Sequence, residues 1–222
     1  MPKPTIILDE PCVALRDALG AIAPVFVFRR RNGFLTTHPV VAAEELHEVL
    51  QAGNVAPPYV FVAASFGGLA ALAYAASYPA TLAGLVLVDP SHPEQSAAAL
   101  AVIPSSEPPV PAVESFKKYL QGFGPLWTES CQAIAKISDL GDVPMIVLAA
   151  GKPDMPLELT ERTRRALTQS WHALQQKHAA LSARGELRIV PGVGHNIVGG
   201  APGTICAAVA ELATETARNE FL

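Results

Sequence analysis

The sequence predicts an α/β fold, with a mostly parallel, twisted sheet and helices on both of its faces. Short apolar runs rich in β-branched residues alternate with longer helical patterns, and prolines stand at the joints between them. Half of the 222 residues are hydrophobic and 16% are charged, whereas soluble domains average about 25% charged residues. A chain of this length can bury a large core. We therefore predict one domain over residues 1–222.

The predicted elements follow one another in the order that a parallel sheet requires. Strands are predicted over residues 5–8, 25–28, 59–63, 84–88, 145–149 and 187–190. Helices are predicted over residues 13–22, 41–51, 68–78, 157–181 and 204–218. Residues 91–142 interrupt this alternation, with six prolines around short helical pieces at 112–121 and 128–137. Because ligands bind at the carboxyl edge of such sheets, we predict that this insertion forms a small helical lid there.

Charge and cysteine content exclude several classes of partner. A net charge of −4 offers no electrostatic attraction to nucleic acid or to an anionic membrane. The basic run at residues 28–33 is expected in a solvated loop. No apolar stretch reaches 18 residues and no signal-peptide pattern appears at the N-terminus. Cys12, Cys131 and Cys206 have no metal-ligand spacing, so we expect a reduced, cytoplasmic protein without metal or cofactor. A homodimer remains open.

Ser65 is the strongest functional candidate. It lies between an apolar strand pattern and an Ala-rich helical pattern, in the run Ala-Ala-Ser-Phe-Gly-Gly-Leu. Small residues two positions away on each side, Ala63 and Gly67, suit the tight turn of a nucleophile elbow, where strain exposes the hydroxyl. The pattern reads A-x-S-x-G where G-x-S-x-G is usual. A small polar residue that merely ends a strand is the alternative.

A serine hydroxyl needs a base to take its proton and an acid to orient that base. His195 follows the last predicted strand and a flexible loop with Gly192 and Gly194, and it is the best candidate for the base. His178 fits a packing stripe on a helix, and His92 looks like a loop residue near a strand end. Asp89 ends one strand directly, and Asp154 follows the next strand. Either acid satisfies the order serine, acid, histidine.

These residues resemble the α/β-hydrolase superfamily over nearly the whole chain. The resemblance rests on the serine run, on Leu-Val-Leu-Val-Asp-Pro-Ser-His-Pro-Glu-Gln and on Gly-Val-Gly-His-Asn-Ile. It implies an α/β-hydrolase-type fold in which Ser65 is the nucleophile and His195 the base. Much of the superfamily places its acid where Asp154 stands, yet proteins most like this chain have the Val-Asp-Pro-Ser-His pattern. The resemblance therefore favours Asp89, with Asp154 as the alternative acid.

One departure from the superfamily concerns the oxyanion hole. The first strand runs into Leu8-Asp-Glu-Pro-Cys-Val, without the usual glycine. The N–H of Phe66 is one expected donor, and the second should come from about Cys12, because Pro11 has no N–H. Losing one such donor costs about 3–4 kcal/mol of transition-state stabilisation. This loop therefore separates an efficient enzyme from a weak one.

The leading hypothesis is a serine hydrolase that cleaves an ester or similar small acyl substrate through an acyl-enzyme. A weak or inactive relative that binds a ligand or partner is the alternative, and an acyltransferase or cofactor-free lyase would use the same residues. Aromatic residues of the insertion either line the substrate pocket or hold the insertion in place. They are Phe116, Tyr119, Phe123 and Trp127.

Overall fold

The structure contains the predicted sheet. The computed structural model describes residues 3–9, 13–30 and 37–219. Its strands are β1 (Thr5–Asp9), β2 (Val25–Phe28), β3 (Tyr59–Ala64), β4 (Leu82–Val88), β5 (Met145–Ala150) and β6 (Gly185–Val190). They lie in the order β2-β1-β3-β4-β5-β6, and all five neighbouring pairs are parallel. The α/β-hydrolase-type sheet predicted from the sequence is therefore confirmed.

Helices cover both faces of this sheet. They are α1 (Val13–Gly20), α2 (Pro39–Ala52), α3 (Gly67–Ser77), α4 (Gln95–Val102), α5 (Pro111–Gln121), α6 (Gly124–Ile134), α7 (Glu161–Ala179), α8 (Ile197–Gly200) and α9 (Pro202–Asn219). Leu46 of α2 and Leu69 of α3 are buried on one face, and Leu19 of α1 and Val209 of α9 on the other. The strands are apolar throughout because both of their faces are covered.

The bounds of the long helix α7 depend on a cap that the periodicity does not show. The sequence predicts a helix over 157–181, whereas α7 begins at Glu161. Thr160 is its N-cap, and the Thr160 side chain accepts a hydrogen bond from the Thr163 N–H. Such a cap satisfies an amide that has no partner within the helix. Pattern alone therefore placed the start of this helix too early.

Residues 91–142 form three helices between β4 and β5, namely α4, α5 and α6. Pro111 and Pro125 stand in the first turns of α5 and α6, where a missing N–H costs nothing. The segment packs on α7 through a small apolar cluster that includes Val113 and Leu167. Glu107 also accepts hydrogen bonds from the N–H of Thr160, at 3.1 Å, and from two threonine hydroxyls there. The helices of this segment are thus attached to the start of α7.

The expectation that the basic run lies in a solvated loop is wrong for Arg30. Arg30 is buried and forms an ion pair with Asp9, whose carboxylate is also buried. Strands β1 and β2 are neighbours with Asp9 opposite Phe28, so the ends of both strands bring the carboxylate and the guanidinium together. Arg29 is exposed, as expected, and residues 31–33 of the run lie outside the described residues.

Two further observations concern membranes and metals. None of the helices in the described ranges combines enough length with enough apolar character to cross a bilayer. Within the same ranges, no three His, Cys, Asp or Glu side chains come together in a way that could hold a metal ion.

Candidate active site

Ser65 occupies a tight turn between strand β3 and helix α3. Its φ is 51°, in the left-handed region that costs a non-glycine residue about 1–3 kcal/mol. Two backbone hydrogen bonds maintain the turn: the Ser65 N–H donates to the Val88 carbonyl at 3.0 Å, and the Gly68 N–H donates to the Ser65 carbonyl at 3.0 Å. The turn has the strand–turn–helix geometry expected of a nucleophile elbow.

His195 and Asp89 approach Ser65 from two other loops at the same edge of the sheet. His195 Nε2 is 3.0 Å from Ser65 Oγ. On the other side of the ring, His195 Nδ1 is 2.6 Å from Asp89 Oδ2. Asp89 directly follows β4 with a φ of 43°, and its side chain is 3% exposed. Hydroxyl, imidazole and carboxylate thus form one continuous series of contacts.

The second carboxylate oxygen of Asp89 is held separately. Asp89 Oδ1 accepts a hydrogen bond from the Ala150 N–H at 2.8 Å and another from the indole N–H of Trp171 at 2.8 Å. These two donors satisfy Oδ1 and leave Oδ2 directed at His195. A carboxylate that is hydrogen-bonded on both oxygens has little freedom to rotate.

The charge at His195 is set by its two acidic neighbours. The hydrogen bond with Asp89 raises the pKa of His195 above its usual value, although burial acts in the opposite direction. The negative charges of Asp89 and Asp154 add to this rise. Asp154 is adjacent to the histidine loop, because a Cβ at Gly194 would lie 2.4 Å from Asp154 Oδ1. Asp154 therefore acts on His195 by its charge, whereas the hydrogen bond to Nδ1 comes from Asp89.

Only part of the predicted oxyanion hole lies in the described residues. Phe66 directly follows Ser65 and is the N-cap of α3, so its N–H belongs to the positive end of the helix dipole. Cys12, the other predicted donor, lies outside the described residues together with Glu10 and Pro11.

A cavity of about 480 Å³ opens beside Ser65 and His195. Volumes of this size are typical of small-molecule sites. Apolar side chains from four segments contribute to its wall: Ala99, Phe116, Leu120, Met155 and Leu167. Neutral polar side chains also line it: Ser91, Gln95, Ser170 and Tyr119. The cavity is thus partly apolar, with a few hydrogen-bonding groups.

The four aromatic residues of the 91–142 segment separate into two pairs. Phe116 and Tyr119 line the cavity, as the pocket reading predicts. Phe123 and Trp127 pack against each other, with ring centroids 4.8 Å apart, and Trp127 is 6.0 Å from the ring of Phe66. These two are not among the residues that line the cavity, which agrees with the other reading, that they hold the insertion in place. Phe123 is the N-cap of α6 and Trp127 lies within this helix. Helix α6 contacts α3, the helix that begins after Ser65.

The two histidines that were assigned to packing or to a loop are both buried. His178 donates from Nε2 to the Ser91 carbonyl at 3.0 Å, and its ring centroid is 4.5 Å from that of His92. Burial lowers the pKa of His178 to about 3 and that of His92 to about 4. Both are therefore neutral at pH 7, and neither is among the residues that line the cavity.

Sequence reasoning missed Trp171 as a neighbour of the acid. The sequence places Trp171 with Leu167, Leu174 and His178 in a packing stripe on a helix, because these residues recur at helical spacing. The same face also has side chains that can donate hydrogen bonds, because Trp171, Gln175 and His178 lie at i, i+4 and i+7. Such a series of donors on a mostly apolar face is a signal that could have indicated a hydrogen-bonded partner.

A parallel sheet with serine, histidine and aspartate meeting at its carboxyl edge defines the α/β-hydrolase class. Comparison with known proteins agrees: the model of the alpha/beta hydrolase family matches residues 12–209. This chain belongs to that family. Membership supports hydrolase activity.

Individual relatives are distant. YqjL of Bacillus subtilis (strain 168), described as uncharacterized, is 28% identical over 156 residues, which are 69% of this chain and 56% of that protein. The chain thus spans little more than half of that relative's length. A probable hydrolytic enzyme from Pseudomonas aeruginosa PAO1 is similar in structure with a TM-score of 0.63, 17% identity and coverage of 95% of this chain and 87% of that one.

Two solved esterases have the same fold. An esterase from a marine microorganism matches with a TM-score of 0.59 and 16% identity, over 96% of this chain and 95% of the other. A thermophilic esterase from Thermogutta terrifontis matches with a TM-score of 0.56 and 16% identity, over 97% and 91%. At these identities the likeness concerns the fold.

Proposed function

We propose that this protein is a serine hydrolase that cleaves an ester or related small acyl substrate through an acyl-enzyme on Ser65. The series of contacts Ser65 Oγ–His195 Nε2 at 3.0 Å and His195 Nδ1–Asp89 Oδ2 at 2.6 Å carries this proposal. A hydroxyl in contact with an oriented base is the arrangement that nucleophilic catalysis by serine requires.

The reaction proceeds in two acyl transfers. His195 Nε2 takes the proton of the Ser65 hydroxyl as Oγ attacks the substrate carbonyl, and then gives that proton to the departing alcohol. Water repeats the sequence on the acyl-enzyme: His195 takes a proton from the water and returns it to Ser65. Asp89 keeps the ring in the tautomer with hydrogen on Nδ1 and stabilises the imidazolium that forms at each stage.

The negative oxygen of each tetrahedral intermediate needs N–H donors. The Phe66 N–H is the first donor in this proposal, because it follows the nucleophile at the start of α3 and the helix dipole favours negative charge there. The sequence predicts the second donor at about Cys12, which lies outside the described residues.

The cavity supports a substrate of small to medium size with a partly apolar acyl or alcohol group. Its volume of about 480 Å³ and its mixed wall suit such a molecule. Helices α4 and α5 contribute Gln95, Ala99 and Phe116 to this wall. We therefore propose that residues 91–142 act as a lid over the site and contribute to the choice of substrate.

Labelling with a fluorophosphonate tests the proposal. The reagent should modify the protein on Ser65, identified by peptide mass spectrometry, and should leave Ser65→Ala unmodified. Turnover of p-nitrophenyl esters of increasing chain length should be lost in the same variant. Ser77→Ala, at the far end of α3, is the matched control and should keep both signals.

A folded wild-type protein that neither labels nor hydrolyses any ester would refute the proposal. The alternative, a ligand-binding protein on a hydrolase fold, would then account for the chain. It predicts a ligand-induced rise in melting temperature that Ser65→Ala leaves intact.

A further inference from the structure

One face of helix α7 donates hydrogen bonds to three consecutive residues that follow strand β4. The Trp171 indole N–H donates to Asp89 Oδ1 at 2.8 Å, the Gln175 side-chain amide to the Pro90 carbonyl at 2.9 Å, and His178 Nε2 to the Ser91 carbonyl at 3.0 Å. Donors at i, i+4 and i+7 lie on one side of a helix. The three acceptors are successive in sequence.

The three acceptor residues connect the candidate acid with the nucleophile. Asp89 contacts His195, and the Ser91 N–H donates to the Ser65 carbonyl at 2.9 Å. Pro90 packs so closely on helix α3 that a Cβ at Gly68 would lie 2.5 Å from the Pro90 Cβ. Helix α7 therefore holds residues 89–91 in place, and these residues connect Asp89 with the turn at Ser65.

Trp171 has a role in this arrangement that Gln175 and His178 do not share. Its N–H contacts the carboxylate itself, and together with the Ala150 N–H it satisfies Oδ1 so that Oδ2 faces His195. Its ring also forms part of the cavity wall beside Ser65. A substrate in the cavity would thus lie against the same side chain that orients the acid.

We propose that Trp171 is a positioning residue that holds the Asp89 carboxylate in the rotamer required by His195. The proposal rests on the proposed hydrolase function for its kinetic consequence. Its structural consequence, the orientation of Asp89 toward His195, does not depend on turnover.

Trp171→Phe removes the N–H donor and keeps an aromatic ring in the cavity wall. We expect kcat for a p-nitrophenyl ester to fall roughly 10- to 100-fold, as misplacement of a catalytic group does, while KM changes less than about 2-fold because the ring still lines the cavity. Trp127→Phe is the matched control, since Trp127 is not among the residues that line the cavity and phenylalanine keeps an aromatic ring next to Phe66. It should keep both constants.

A second readout follows His195 directly. In protein labelled with ¹⁵N-histidine, NMR titration should show that the pKa of His195 decreases toward its usual value in Trp171→Phe, because a rotated carboxylate no longer accepts the Nδ1 hydrogen bond. The control Trp127→Phe should titrate as the wild type does. An unchanged or higher pKa of His195 in Trp171→Phe would overturn the proposal.

If Trp171→Phe does not fold, an isosteric change replaces it. The chain has two tryptophans, so incorporation of benzothienylalanine in the Trp127→Phe background exchanges the Trp171 N–H alone for sulfur. The same lowered pKa of His195 is expected.

A shifted His195 titration in a protein that hydrolyses no ester would refute the hydrolase function and support the positioning role. Normal kcat with an unshifted titration would refute the positioning role alone.

Discussion

Asp89 and Asp154 illustrate how two carboxylates near one histidine can have different roles. Asp89 is buried and hydrogen-bonded to Nδ1 of His195, whereas Asp154 is exposed and contributes through its charge. A buried, hydrogen-bonded carboxylate fixes the tautomer of the ring, and an exposed charge is screened by water and salt. The two acids thus differ in whether their carboxylate contacts the His195 ring directly.

Substitution of each acid separates these roles. Asp89→Asn should lower kcat by about 10³- to 10⁴-fold, because the amide no longer stabilises the required tautomer or the imidazolium. Asp154→Asn, the matched change, should lower kcat by less than about 3-fold. Steady-state hydrolysis of a p-nitrophenyl ester measures both. A larger loss in Asp154→Asn than in Asp89→Asn would assign the acid to Asp154.

The pH profile of the same proteins gives an independent check. Only neutral His195 can accept the serine proton, so kcat/KM should increase with pH through the pKa of His195. Asp89 raises that pKa above 6.5, and the increase should therefore be centred above pH 6.5 in the wild type. It should move a little toward lower pH in Asp154→Asn. An increase centred below pH 6.5 in the wild type would contradict the described hydrogen bond.

At the scale of elements, helix α7 and the segment after β4 bury two neutral imidazoles. His92 and His178 have rings 4.5 Å apart and hardly any exposed surface. Neither ring lies in the cavity wall, so their packing serves the junction of these elements. Two adjacent cations in this position would repel each other and lose hydration.

Because both histidines are buried and neutral, we expect the free energy of unfolding to fall in acid. Unfolded, each histidine binds a proton near pH 6.5, whereas in the fold the pKa is about 4 for His92 and about 3 for His178. Between these values the unfolded chain binds more protons. The free energy of unfolding should therefore fall as pH decreases from about 6.5 to 4, by up to about 1.4 kcal/mol per pH unit for each histidine.

Urea unfolding at several pH values tests this in His178→Gln, which keeps a donor near the Ser91 carbonyl. The dependence on pH between 6.5 and 4 should be clearly weaker than in the wild type. His47→Gln, whose ring stacks on Tyr78 away from this junction, is the control and should keep the wild-type slope. Equal slopes in all three proteins would contradict the assignment.

For the molecule as a whole, the ion pair of Asp9 and Arg30 connects the ends of β1 and β2 at the carboxyl edge of the sheet. Both side chains are 2% exposed. Removing one charge of a buried pair costs far more than the pair contributes, because the remaining charge has lost its water and its opposite charge. The pair therefore makes the fold depend on both residues together.

Asp9→Asn should lower the free energy of unfolding by about 3–5 kcal/mol, since it removes the negative charge that faces the buried guanidinium of Arg30. Glu161→Gln breaks the exposed pair with Arg165 and should change stability by less than about 1 kcal/mol. Urea denaturation at pH 7 measures both. A loss in Asp9→Asn no greater than in Glu161→Gln would show that the pair is not buried in solution.

The elements of this fold were predictable because their signals are local. Strand β2 has the predicted bounds, and the turn at Ser65 follows from small residues between a strand pattern and a helix pattern. The start of α7 was placed too early because a cap depends on one side-chain hydrogen bond. The burial of Arg30 was missed because its partner, Asp9, is 21 residues away.

The sequence by itself determined the α/β class, the order of the strands along the chain, and Ser65 and His195 as candidates. Periodicity depends on nearby residues, and the order of the elements is their order along the chain, so both can be read from the sequence alone. Only the tertiary structure decided between Asp89 and Asp154 at His195 Nδ1, and only it brought Trp171 to Asp89 across 82 residues. Contacts of this kind depend on how loops and helices pack over the sheet edge, which spacing along the chain does not encode.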